Sequence, residues 1–222
     1  MARLMFIVLF LFVSCKHSDP QPPKDPVPNE KAAIVWLNGT TARCSFYLAS
    51  TTFMRSKGYT VVCPETSNTA DGVACMGEVD KLWNAGYRRI GISGHSQGGG
   101  AAFICSYKAQ VKYNQDFPVI GVEPAHGFRL SGLRINDIYP KITSPTFQWY
   151  GTRDTLVAKG WVKRGFDLVG GEKYWLGAVG APHVPVPSRW TNESIVFFDW
   201  KLKGGSDAAF KNLVNTPTWE KP

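Results

Sequence analysis

Ser96 is the residue with the clearest chemical potential, and it lies in the glycine-flanked run GHSQG at residues 94–98. The β-type residues 89–93 precede this run, and the small residues 99–102 follow it. This context predicts a sharp turn from a strand into a helix, with the serine hydroxyl raised above the edge of a sheet. A serine held there can act as a nucleophile, because the helix N-terminus favours developing negative charge and the amide of Gln97 can donate to an oxyanion.

An activated serine needs a base, and the chain contains four histidines. In folds with this kind of turn, the order along the chain is serine, then acid, then histidine. His17 lies in a proline-rich segment, His95 lies inside the turn, and His126 precedes every plausible acid. His183 follows the last strand-like segment and fits the order. We therefore predict that His183 is the general base.

The acid should lie between the serine and the histidine, at the end of a strand. The β-type residues 146–150 lead into a Gly-Thr-Arg-Asp turn that ends at Asp154. Asp167 and Glu172 also satisfy the order, but one is at a helix end and the other at the start of a strand, which is the wrong edge of the sheet. Asp154 is therefore predicted to accept the Nδ1–H of His183, so that Nε2 is free to take the serine proton.

A second oxyanion donor is expected in the loop after the first strand, where the chain reads Asn-Gly-Thr-Thr at residues 38–41. Gly39 permits a tight backbone path. The amide of Thr40 is predicted to complete the oxyanion hole with that of Gln97, and Thr41 is the alternative donor.

Short apolar segments rich in β-branched and aromatic residues alternate with helix-like segments along the chain. Strands are predicted at residues 32–37, 59–63, 89–93, 118–123, 146–150 and 173–177, and helices at residues 46–57, 73–83, 97–109, 157–166 and 193–202. Continuously apolar strands are typical of sheets buried on both faces. The pattern predicts a three-layer α/β domain with a mostly parallel sheet of about six strands. Only thirty residues separate Glu123 from Asp154, so no lid domain is expected over the site.

The N-terminal residues predict export rather than fold. Residues 1–15 have a positive start and an apolar stretch too short to span a bilayer, and they resemble a bacterial lipoprotein signal that ends at Cys15. Either Cys15 carries lipid and anchors the protein in the cell envelope, or the protein is simply secreted. Residues 16–30 contain five prolines and predict a stiff linker before a catalytic domain at residues 31–222.

The formal net charge of +8 comes from scattered Lys and Arg residues, single apart from pairs such as Arg88-Arg89 and Lys163-Arg164, and not from a basic run with aromatics between its members. We therefore expect no nucleic-acid partner, and membrane contact only through the lipid anchor. No cysteine or histidine spacing is typical of a metal site, so no metal and no cofactor are predicted. We expect the protein to be a monomer.

Four cysteines remain besides Cys15, which suits an oxidising compartment. Sequence alone allows three pairings. We predict a disulfide between Cys44 and Cys75, because each follows a loop expected at the carboxyl edge of neighbouring strands. Cys63 and Cys105 are expected to be buried, either as free thiols or as a second bridge.

Taken together, these motifs resemble those of bacterial α/β-hydrolases, and most closely the cutinase-like, polyester-hydrolase and dienelactone-hydrolase-related esterases. The resemblance covers roughly residues 34–202. It rests on NGT at 38–40, PET at 64–66 with Asn68, GHSQGGGAA at 94–102, the turn at 151–154 and the loop around His183. Polyester hydrolases of this group usually have an aromatic residue in the oxyanion loop, a methionine after the serine and a tryptophan after the next strand. Thr40, Gln97 and the neighbourhood of Ala125 and His126 stand at those places, which argues against cleavage of aromatic polyesters.

The residues and the resemblance together predict a serine ester hydrolase with an open site for short-chain or polymer-borne esters. Thr41, His126 and Trp190 are predicted substrate contacts, although tryptophans in such positions belong to the core more often. Two alternatives remain open: a peptidase or acyltransferase with the same three catalytic residues, or a non-catalytic surface-binding module on a hydrolase scaffold.

Overall fold

Helices cover both faces of one sheet in the computed structural model, which describes residues 31–65, 71–126, 135–184, 190–214 and 219–220. The predicted signal, its Cys15 and the proline-rich linker lie outside the described residues, and so does Asn68. Within the described part of the chain, no helix has the length and apolar character needed to cross a membrane.

Seven strands form the sheet, in the order β2-β1-β3-β4-β5-β6-β7. The strands are β1 (Ala32–Leu37), β2 (Thr60–Val62), β3 (Arg89–His95), β4 (Val119–Val122), β5 (Thr146–Gly151), β6 (Lys173–Ala178) and β7 (Trp219–Glu220). The first six strands are parallel to one another, and β7 pairs antiparallel with β6. The predicted three-layer α/β class and the six predicted strands are therefore confirmed. The two-residue β7 was not predicted, because it is too short to show a periodic pattern.

The helices connect these strands and pack on the two faces of the sheet. They are α1 (Leu48–Ser56), α2 (Val73–Asn84), α3 (Gln97–Tyr113), α4 (Ile135–Ile138), α5 (Lys159–Leu168), α6 (Thr191–Lys203) and α7 (Asp207–Val214), with 3-10 turns at Cys44–Tyr47 and Tyr139–Lys141. All five predicted helical segments are present, although the first begins as a 3-10 turn. The described residues between β4 and β5 include the short α4 and the 3-10 turn after it.

The two faces of β1 illustrate why its sequence is apolar throughout. Ala32, Ile34 and Trp36 point into a core shared with α1, α6 and α7. The alternate residues Ala33, Val35 and Leu37 point into a second core, shared with α2 and α3. Successive strand side chains point to opposite faces, so a strand covered on both faces needs apolar residues at every position.

The disulfides differ from the predicted pairing of Cys44 with Cys75, which is wrong. Cys44 is bonded to Cys63, and Cys75 is bonded to Cys105, with Cα–Cα separations of 5.9 and 6.1 Å. Cys63 follows β2, which lies directly beside β1, and it packs against the core of α1 and α6. Cys75 belongs to α2 and lies in the core on the other face, against α3. The prediction placed both loops at the correct edge, but the sheet separates Cys44 from Cys75.

Native-state reduction should distinguish the two bridges. Cys44 and Cys63 are half-buried, whereas Cys75 and Cys105 are buried. Mild reductant should therefore open Cys44–Cys63 first, because thiol attack requires access to a sulfur atom. Alkylation followed by peptide mapping measures the order of opening.

The Cys75→Ala/Cys105→Ala variant should lose about 3–4 kcal/mol of unfolding free energy, as expected for a bridge that closes a loop of this length. The Cys44→Ala/Cys63→Ala variant is the matched comparison, with a shorter loop and a slightly smaller loss. Non-reducing peptide maps that link Cys44 to Cys75 would contradict this fold.

Candidate active site

Ser96 lies on the tight turn between β3 and α3, with φ of 53° and ψ of −121°. Such a turn leaves no space for side chains beside it. A Cβ atom on Gly94 would lie 2.4 Å from the carbonyl oxygen of Gly98, and a Cβ on Gly98 would lie 2.4 Å from the carbonyl oxygen of Leu37. The backbone N–H of Ser96 donates to the carbonyl of Val122 at 2.9 Å, which ties the turn to β4. The flanking glycines are therefore needed for close packing between backbone segments.

His183 lies between Ser96 and Asp154 and contacts both. Its Nε2 is 3.0 Å from Oγ of Ser96, and its Nδ1 is 2.7 Å from Oδ2 of Asp154. The three residues follow the carboxyl ends of β3, β5 and β6, which lie at the same edge of the parallel part of the sheet. The structure thus brings the predicted nucleophile, base and acid into one hydrogen-bonded row.

Asp154 is held by the turn that follows it. The N–H groups of Leu156 and Val157 donate to Oδ1 at 2.8 and 2.9 Å, and the Asp154 side chain is inaccessible to solvent. Burial opposes ionisation of this carboxyl, but hydrogen bonds from His183, Glu123 and the two amides outweigh it and lower its pKa. Asp154 therefore carries its negative charge at neutral pH.

The two rival acids lie elsewhere on the surface. Asp167 pairs with Lys163 at 2.8 Å within α5, and Glu172 pairs with Lys201 at 2.5 Å. Both carboxylates are exposed or partly exposed, and neither contacts His183 in the described structure.

Thr40 and Gln97 lie next to each other at the end of β1. Oγ1 of Thr40 donates to Oε1 of Gln97 at 2.8 Å, so the two predicted oxyanion donors belong to adjoining backbone segments. Gln97 is the first residue of α3, and its N–H therefore has no acceptor within that helix. Thr41 has a positive φ of 60° and lines the same cleft as Thr40 and Ser96.

A buried chain of hydrogen bonds connects this loop to the loop of His183, and the sequence analysis missed it. The N–H of Gly39 donates to the hydroxyl of Tyr47 at 3.1 Å, and that hydroxyl lies 2.8 Å from Nδ1 of His95. Nε2 of His95 lies 2.7 Å from the backbone carbonyl of His183. Burial lowers the pKa of His95 to about 4, so the ring is neutral at pH 7. Tyr47 then donates to Nδ1, and the Nε2–H donates to the His183 carbonyl.

The cleft in front of Ser96 has a volume of about 490 Å³ and a mainly apolar lining. Four of its residues are large apolar side chains that are more than half exposed: Phe46, Leu156, Trp161 and Val184. No Asp, Glu, Lys or Arg is among the described residues that line it. The cleft is therefore suited to neutral, apolar groups.

Two of the three predicted substrate contacts are buried and are not among the described residues that line the cleft. His126 is buried behind the sheet edge, where Nδ1 lies 2.8 Å from the Tyr139 hydroxyl and its ring packs edge-on against Phe103. Trp190 stacks on Trp36 in the core, with ring centroids 4.9 Å apart. Both rings are buried, because they pack against other side chains of the fold and not against the space of the cleft. Thr41 is the one that lines the cleft.

Solved structures were compared with the whole described fold. A predicted CIB-like hydrolase from Thermoplasma acidophilum matches with a TM-score of 0.58 at 19% identity, over 77% of this chain and 87% of that one. The esterase Pf2001 from Pyrococcus furiosus matches with a TM-score of 0.60 at 16% identity, over 78% and 84% of the two chains. Est1E from Butyrivibrio proteoclasticus matches with a TM-score of 0.64 at 13% identity, over 79% and 90%.

The chain has the α/β-hydrolase fold. No family model matches its sequence, and no curated protein matches it either. The likeness therefore lies in the fold.

Glu123 is a further carboxyl group in this candidate site. It follows β4, is inaccessible to solvent, and accepts the N–H of Gly151 at Oε1 over 2.7 Å. Burial, and then the neighbouring Asp154, raise the pKa of Glu123 to about 10. Glu123, Asp154 and His183 also place one potential metal-ligand atom each within 4.8 Å of one another. In this structure the His183 nitrogens face Asp154 and Ser96, so hydrogen bonds account for the cluster.

Glu123→Gln should stabilise the protein increasingly as the pH rises from 5 to 8. The folded chain keeps the Glu123 proton up to a pKa of about 10, whereas the unfolded chain loses it near 4.5. Between these values folding of the wild type must take up a proton, which costs at most about 1.4 kcal/mol per pH unit. Glutamine removes this cost. Urea unfolding at several pH values measures the difference.

Glu172→Gln is the control for this measurement, because it removes an exposed carboxyl group. A stability difference between Glu123→Gln and the wild type that stays constant from pH 5 to pH 8 would contradict a protonated Glu123.

Proposed function

We propose that this α/β-hydrolase is a serine ester hydrolase. The observation that carries the proposal is the row Ser96–His183–Asp154, with contacts of 3.0 and 2.7 Å, at the base of an open cleft. Three groups of these types in this order form a nucleophile, a base and an acid that orients the base. Hydrolysis of an ester by a serine nucleophile needs no other reacting group from the protein.

In the proposed reaction, Oγ of Ser96 attacks the ester carbonyl carbon while Nε2 of His183 takes its proton. The Asp154 carboxylate stabilises the resulting imidazolium through Nδ1–H. The amides of Gln97 and Thr40 donate to the oxyanion of the tetrahedral intermediate. His183 then gives the proton to the departing alcohol, and a water molecule repeats the sequence on the acyl-enzyme to release the acid.

The lining of the cleft supports neutral esters with apolar groups, of short chain or carried by a polymer. The absence of charged side chains among its described lining residues disfavours charged substrates, and the exposed rim of apolar residues leaves the cleft open. A peptidase or acyltransferase would use the same three residues, so an amide and a competing alcohol belong in every substrate panel. A purely binding role would leave the hydrogen-bonded row without a use.

Export of the enzyme is part of the same proposal. Two disulfides suit an oxidising compartment. The lipid anchor at Cys15 and the linker that follows it would hold the enzyme at the surface of a bacterial cell envelope, and cleavage without lipid would release it.

Ser96→Ala, His183→Ala and Asp154→Ala should each lower turnover of a p-nitrophenyl ester by about three or more powers of ten. Each change removes one member of a unit, so a double variant should be little worse than a single one. Initial rates measure the loss, and circular dichroism controls for folding. A Ser96→Ala enzyme with near wild-type turnover would refute the proposed function.

Leu156→Ser should weaken binding of esters with longer acyl chains. The Leu156 side chain is 70% exposed at the cleft, and loss of its contact should raise KM for a p-nitrophenyl hexanoate by about fivefold, but change that for the acetate much less. Leu48→Ser is the matched control, because Leu48 is 59% exposed but does not line the cleft. Equal effects of the two variants would show that the rim does not contact the acyl chain.

A further inference from the structure

We propose that Glu123 is a positioning residue of the site: a protonated carboxyl group that donates a hydrogen bond to the Asp154 carboxylate and so holds Asp154 for His183. The inference rests on the proposed function, in which Asp154 orients the base. It adds a fourth group behind the row of three.

The backbone places Glu123 toward Asp154 at some cost. Glu123 has a positive φ of 47°, which is unfavourable for a residue with a Cβ, and its N–H donates to the Trp149 carbonyl at 2.8 Å. Space for its carboxyl group exists because residue 151 is glycine: a Cβ there would lie 2.3 Å from Oε1 of Glu123. The positive φ of Glu123 and the glycine at position 151 thus both accommodate the same buried carboxyl group.

The remaining oxygen of Glu123 has no ordinary donor. Oε1 accepts from Gly151, but Oε2 is buried and accepts from no N–H or O–H group of the described residues. Its polar neighbour is the carboxylate of Asp154, one oxygen of which lies within 4.8 Å of an oxygen of Glu123. Two carboxyl groups can share a hydrogen bond only if one of them carries a proton.

The hydrogen bonds around the pair decide which carboxyl group is protonated. Asp154 accepts from Leu156, Val157 and His183, so it is well stabilised as an anion. Among the described residues, Glu123 accepts one backbone N–H, that of Gly151. Two buried charges side by side would repel each other, and the proton therefore stays on Glu123.

None of the charged and titratable groups near Glu123 that the structure describes offers it a cation. Asp154 is an anion, His183 directs its two nitrogens to Asp154 and Ser96, and His95 directs its own to Tyr47 and the His183 carbonyl. Arg153, next to Asp154 in the chain, is exposed. A protonated Glu123 is the arrangement that satisfies the buried pair.

This proton has a consequence for the reaction. A donor from Glu123 withdraws charge from Asp154, which limits how strongly Asp154 attracts a proton onto His183. Without this donor Asp154 would present its full negative charge to Nδ1, and the acid limb of the pH–rate profile should move to higher pH. The same bond fixes the plane in which Asp154 meets Nδ1.

Two variants with side chains of the same length as glutamate test the Glu123–Asp154 hydrogen bond by kinetics. Glu123→Gln keeps a neutral N–H donor toward Asp154, so it should retain at least about one third of kcat and shift the acid limb of the pH–rate profile by no more than about 0.3 pH unit. Glu123→Met keeps the length but no donor. It should lower kcat about tenfold, with a smaller change in KM, and move the acid limb about one pH unit upward.

Either of two kinetic results would overturn the proposal. A downward shift of the acid limb by about one unit in Glu123→Gln would mean that Glu123 is ionised in the wild type, since glutamine would then have removed a negative charge. Equal pH profiles and equal kcat for the Gln and Met variants would mean that the carboxyl group only fills space.

A measurement on the Ser96→Ala protein separates this proposal from the proposed function, because it needs no turnover. With ¹³C-labelled glutamate carboxyl groups, the signal that disappears in Ser96→Ala/Glu123→Gln belongs to Glu123. That signal should keep the chemical shift of a protonated acid from pH 5 to pH 8. This result is expected even if the wild-type protein proves to cleave no ester. Titration with an ordinary glutamate pKa would overturn the proposal even if Ser96 proved essential for hydrolysis. If the Met variant fails to fold, these spectra still test the proposal, because they do not depend on that variant.

Discussion

The close packing of backbone around the turn at residues 94–98 is the constraint on which the rest of the site depends. Gly98 lies against the end of β1, and the N–H of Ser96 is bonded to the end of β4. These contacts set the serine hydroxyl against the loop that carries Thr40 on one side and the chain that leads into Glu123 on the other. A side chain at either flanking glycine would force the strands apart. The whole edge of the sheet therefore depends on glycine at these two positions.

Around this turn the protein buries several polar groups and keeps almost all of them neutral. Burial holds His95 neutral by lowering its pKa, and its two ring nitrogens are bonded to Tyr47 and to the loop of His183. Burial and the neighbouring Asp154 keep a proton on Glu123 by raising its pKa. Asp154 is the group that stays charged, because it receives several donors at once. In the proposed reaction, this buried anion stabilises the imidazolium that forms when His183 takes the proton of the serine hydroxyl.

The cleft is the accessible side of the site, and one disulfide holds the chain segment beside it. Exposed apolar residues surround the serine, while Cys44–Cys63 fastens the start of the segment that carries Phe46 and Tyr47 to the end of β2. Tyr47 in turn supports both Gly39 and His95 through its hydroxyl. The loop after β1 is therefore fixed at both ends, by a covalent bond and by a buried hydrogen-bond chain, even though its outer face is open to solvent.

The sequence by itself determined the sheet, the turn and the three residues that meet at its edge, because strand periodicity and the order of serine, acid and histidine are local or linear properties. Only the tertiary structure decided which cysteines pair, since pairing depends on which face of the sheet each helix covers. It also decided that Trp190 belongs to the core and that Glu123 faces Asp154. A lone glutamate after a strand carries no signal in sequence, and its role arises from neighbours that the chain brings from β5 and β6.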